Sequence, residues 1–117
     1  MKKLDAFFEE IAAKVVSCLE EGMHHSSTRH WVIVDDDQGV DIVEALPGGP
    51  PPHELLQSLL ASGATAAAYA THVPEGRERV VAEALVIDPS DSDTRVATVL
   101  RDGDQRVRLG PWEGPTS

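Results

Sequence analysis

The chain predicts a single α+β domain, residues 1–117, with an antiparallel sheet and two helices packed on one of its faces, in the order α-β-β-α-β-β-β-β. Three observations carry this. A length of 117 residues fits one compact domain. Two stretches repeat apolar residues at three- and four-residue steps, the helical period. From Ala64 onward the period becomes two, and turn residues separate the runs. Apolar residues make up 41% of the chain but aromatics only 4%, so alanine, valine and leucine must fill the core. Such packing buries little area per residue, which predicts modest stability or help from a second subunit.

Residues 3–21 form the first expected helix. Leu4, Phe7, Phe8, Ile11, Val15, Cys18 and Leu19 share one side; Lys3, Glu10, Lys14 and Glu21 take the other, and Gly22 is a stop signal. "GMHHSSTRHW", residues 22–31, leads into a hairpin. Its strands are Trp31–Val34 and Val40–Leu46, with the bend at Asp36–Gly39. "PGGPPP", 47–52, is a stiff connection that presets the next helix, "HELLQSLLASG", whose stripe is Leu55, Leu56, Leu59 and Leu60. "ATAAAYATHV" reads as a strand ending at Val73, and "ERVVAEALVID" as one reaching Asp88. In "TRVATVLRDGDQRVRLG", Asp102-Gly103 predicts a two-residue hairpin loop. That loop pairs Arg101 with Asp104, Thr98 with Val107 and Val96 with Leu109. Val96, Leu100, Val107 and Leu109 then share one face; Arg95, Arg101, Arg106 and Arg108 share the other. Residues 112–117 read as a frayed tail.

Charge narrows the function classes. Twenty acidic residues against ten basic ones give −10; residues 1–58 carry +4 and −11, and residues 59–117 carry +6 and −9. Neither half is basic, which disfavours attachment to nucleic acid or to an anionic membrane. A single cysteine, Cys18, excludes an intramolecular disulfide and falls in step with the apolar helix positions. Asp5, Glu9, Glu10 and Lys14 break the amino-terminal apolar run before a secretory or membrane-spanning stretch develops, so a cytoplasmic location is expected.

Candidate chemistry is sparse. His24, His25 and His30 crowd one segment, but the adjacent pair diverges on any regular backbone. The plainer reading is a polar loop between helix and strand. A metal site would need His24, His30 and His72 brought together with Asp35, or Asp37 in its place. "DDDQG" lacks the alternating frame and distal glutamate of a calcium loop. No serine sits in a G-x-S-x-G elbow, and "LPGGPPP" has no following Lys-Ser/Thr to make a phosphate loop. No catalytic residue and no cofactor is therefore expected. The row Arg95, Arg101, Arg106 and Arg108, with Arg79 and Glu83 beside it, is the most organised polar feature. It reads either as a docking face for an acidic protein partner or as a solvated face of weak cross-strand ion pairs. Trp112 would close the core edge or anchor an interface.

The last third, "ERVVAEALVIDPSDSDTRVATVLRDGDQRVRLGPW", resembles small bacterial proteins of unassigned function that end in two or three strands with a Leu-Gly-x-Trp closure, matched here by Leu109, Gly110 and Trp112. No catalytic residue is defined for that pattern. The element order also looks like the roadblock and profilin-like group of dimeric scaffold domains, by topology only; the fourth meander strand stands where that group ends in a helix. The first expectation is a small non-catalytic domain acting through association, as a homodimer. The second is a histidine-based metal or small-molecule binding protein or enzyme. A third is an acidic decoy for a basic partner, with its carboxylates aligned on one side.

Overall fold

The computed structural model describes residues 2–21, 28–45, 49, 51–86, 92–103 and 106–114. Helix α1 (Lys2–Glu21) is amphipathic as expected: Leu4, Phe7, Phe8, Ile11, Val15 and Leu19 are all buried. Strands β1 (Arg29–Asp36) and β2 (Gly39–Glu44) form the first hairpin. Helix α2 (Pro52–Ala61) follows, and then β3 (Ala66–Val73), β4 (Arg79–Val86), β5 (Ser92–Asp102) and β6 (Arg106–Leu109). All six strands join one antiparallel sheet in the order β2-β1-β3-β4-β5-β6. Element order and fold class are those the sequence predicts. Among the described residues, no helix is long and apolar enough to cross a membrane.

Because directly paired residues in a sheet point to the same side, the register assigns each residue a face. Trp31, Ile33, Ala68, Ala70, Val80, Ala82 and Ala84 point to one face, where they form the main core with α1. Ala67, Tyr69 and Leu85 point to the other, where Leu56, Leu59 and Leu60 of α2 meet them. The two helices therefore cover opposite faces, which corrects the expectation of one shared face. The cause is topological. β2 and β3 both run antiparallel to β1 and hence parallel to each other, so α2 is a crossover. Crossover connections have a preferred hand, so chain direction and strand order, not amphipathicity, select the face. Alanines in the middle of β3 and β4 suit strands covered on both sides, since small side chains let each helix come close.

The last hairpin is the second correction. Asp102 pairs with Arg106, Arg101 with Val107, Leu100 with Arg108 and Val99 with Leu109. Three residues, 103–105, separate the strands, with Gly103 at φ +78°. The pairing lies three residues from the expected one. An odd displacement exchanges the faces of one strand relative to the other. Val107 and Leu109 accordingly share the α1 side with Val99, while Arg106 and Arg108 share the opposite side with Leu100.

Beyond β6 the chain stays on β5 through Glu113, whose amide donates to the Val96 carbonyl and whose carbonyl accepts from the Val96 amide, both at 2.8 Å. Gly110 still bonds to Thr98, so one extra residue enters between Gly110 and Glu113. This bulge reverses side-chain parity. Trp112 turns to the α1 side, its Nε1–H donating to the Phe8 carbonyl (3.0 Å) and its ring 5.1 Å from that of Phe8. The core-edge reading of Trp112 is the one the geometry realises, and at least its first two residues place the expected tail within the fold.

Candidate functional site

The expected histidine site does not assemble from the described residues. His30 and His72 sit on adjacent strands, but His30 pairs with Thr71 and His72 with Arg29, so the two rings point to opposite faces. His30 hydrogen-bonds Thr71 Oγ1 (3.1 Å) and lies 5.7 Å from the Tyr69 ring. Asp35 shares the face of His72 but pairs with Ala66, six residues along β3, about 20 Å away at strand rise. It lines instead a groove of about 360 Å³ with Phe7, Glu10 and Thr65. His24 lies outside the described residues. Among the described residues no three His, Cys, Asp or Glu side chains are grouped to hold a metal.

His72 has a different role. It is 2% exposed, and its Nε2–H donates to Glu78 Oε2 at 2.6 Å. Arg101 clamps the same carboxylate, Nε to Oε1 at 2.9 Å and Nη2 to Oε2 at 2.7 Å. Burial alone would raise the Glu78 pKa; the hydrogen bonds from Arg101 and His72, with their charge, outweigh it and hold the carboxyl below its ordinary value. Nearby, Arg29 donates to Glu44 (2.8 Å) and stacks over Trp31, 5.1 Å from the ring centroid. One nitrogen on each of Arg29, Trp31 and His72 is buried without a protein partner, which makes this the costly polar end of the core. Cys18 is not a nucleophile of the activated kind: burial, followed by Glu21, pushes its thiol pKa up.

The sheet also divides the arginines. Arg29, Arg95 and Arg101 point to the α1 face, and each meets a carboxylate. Arg95 bonds Asp93 and Asp5, both at 2.8 Å, and sits 4.4 Å from the Phe8 ring centroid. Arg79, Arg106 and Arg108 point to the other face; Asp102 stands opposite Arg106 in the register, but no ion pair joins these three arginines to a carboxylate among the described side chains. The single arginine row expected from sequence is thus two sets, split by the hairpin register.

The two edges of the sheet differ as well. β6 is four residues long, and its Val107 amide donates to Glu20 Oε2 of α1 (3.0 Å). No described strand pairs with the outer side of β2. Ala45 N–H donates inward to the His30 carbonyl (2.8 Å), so by alternation the backbone groups of Val40, Ile42 and Glu44 face outward. Val43 on this strand is 66% exposed, the most exposed large apolar side chain described.

No family model, curated protein or solved structure matches the chain.

Glu20, Val43 and Glu78 were not legible as functional residues. Glu20 and Glu78 meet Val107 and Arg101, 87 and 23 residues away, with His72 six residues from Glu78; Val43 stands out only because its strand lies at the end of the sheet. A usable signal for Val43 does exist, since "DIVE" places two apolar residues side by side in an alternating strand.

Proposed function

We propose that this domain works by association and that it forms a homodimer through the outer edge of β2. The observation that carries the reading is the contrast between the two edges. Sheet edges are templates for pairing with another chain unless they are blocked. Glu20 occupies an outward amide of β6, whereas β2 offers a six-residue edge with Val43 exposed. With one edge blocked, head-to-tail stacking of β2 on β6 is disfavoured. Pairing of β2 with β2 about a two-fold axis closes after two copies. A register centred on Val43 sets it against the partner's Val43 and places Asp41 opposite Ala45, so no carboxylates oppose directly.

Light scattering coupled to size exclusion tests this. The wild-type chain is expected at the mass of two copies and Val43→Lys at the mass of one, because a lysine on an edge strand resists pairing. A wild-type chain at the mass of one copy up to its solubility limit would sink the proposal. So would a dimer indifferent to Val43→Lys and to Val40→Pro, which removes an outward amide.

A further inference from the structure

The α2-side face of the sheet is only partly covered, because α2 packs on β3 and β4. Beyond it, β5 and β6 present Thr98, Leu100, Arg106 and Arg108, with Arg79 at the start of β4 completing the patch. Leu100 is 38% exposed, and Arg106 and Arg108 are exposed on the short last strand. Register fixes the arrangement: Arg79 stands opposite Thr98, and Arg108 stands opposite Leu100. The two arginines therefore flank β5 from either side, about 12 Å apart from two strand spacings and a two-residue offset, with an apolar side chain beside them.

We infer that this patch is a docking surface for an acidic segment of another protein, one that carries carboxylates around an apolar residue. The argument is charge complementarity. In a chain of net charge −10, arginines on the α1 face all meet carboxylates, and acidic partners are abundant. Arg79, Arg106 and Arg108 have no such ion pair among the described side chains, though the sheet gives them the same strands to stand on. A planar guanidinium binds carboxylate through two parallel N–H bonds, so arginine suits recognition of this kind. Leu100 supplies the apolar contact that ion pairs at a wet surface lack, since such pairs alone contribute little. The patch lies at the opposite end of the strand order from β2, so it is open whether the chain is one copy or two. Leu100, exposed beside the arginines, favours a peptide over a phosphate backbone, because a peptide supplies an apolar side chain to cover it.

Fluorescence anisotropy with a labelled peptide of alternating Glu and Asp around a central leucine pair is the test. The wild-type chain is expected to bind it, with affinity falling as salt rises. Arg106→Gln/Arg108→Gln should weaken binding by about tenfold or more. Lys14→Glu on α1 changes net charge by the same amount and should leave affinity unchanged. Equal affinity of the wild-type and double-glutamine chains overturns the inference, as does an equal loss in Lys14→Glu. Tighter binding of a single-stranded oligonucleotide of matched charge, lost in the same double variant, would assign the face to nucleic acid instead. Light scattering on the double variant separates this outcome from the dimer proposal, because its mass should match the wild type.

Discussion

At the scale of single residues, the decisive property is which face of the sheet a side chain takes. His30 and His72 are close in the fold yet chemically separate, because their register positions differ in parity. His72 is instead tied to Glu78, and through it to Arg101. The Glu78 carboxylate, held below its ordinary pKa of 4.5, contributes stability that is fully present above that value and is lost as pH falls through the lowered one. Glu78→Gln should therefore cost about 1–2 kcal/mol at neutral pH. Urea midpoints for the two chains should differ at neutral pH and draw together in acid; a gap that persists undiminished in acid would mean that ionisation is not the source. These partners lie outside what the sequence displays. His72 ends a strand, Glu78 follows a turn and Arg101 is in a distant hairpin, and no periodicity links the three.

At the scale of elements, one residue of loop length governs the last hairpin. Asp102-Gly103 marks the bend correctly, and Gly103 takes the positive φ expected of it. The loop nevertheless holds three residues, and the odd displacement moves Arg106 and Arg108 away from Arg95 and Arg101. Both registers place apolar residues together, so the local pattern does not discriminate. Packing does, since Val99 and Val107 both reach the core under α1. The carboxyl end of α1 has a further task in closing the β6 edge with Glu20. Glu20→Ala should cost about 1 kcal/mol by leaving the Val107 amide without its acceptor. It should also open a second edge, so that light scattering detects species larger than two copies. A variant confined to the wild-type mass would show that the short strand is protected without Glu20.

At the scale of the whole molecule, a six-stranded sheet packs its main core against α1 on one side and a smaller cluster against α2 on the other. If two copies join through β2, the melting temperature should rise with protein concentration, because association stabilises only the folded chain. Val43→Lys should melt at a temperature independent of concentration; the same slope in both chains would place any assembly elsewhere. The double coverage has a sequence trace in "ATAAAYA", a run apolar at nearly every position. Strands buried on both faces read in that way rather than as alternation. By itself the sequence determined the number, kind and order of the elements, because helical and strand periods and turn chemistry are local. It also determined the acidic balance. The tertiary structure alone decided which face α2 covers, how the last hairpin is registered, which arginines find carboxylates and which edge is closed. Those outcomes depend on strand order and parity, which arise only when distant segments pair.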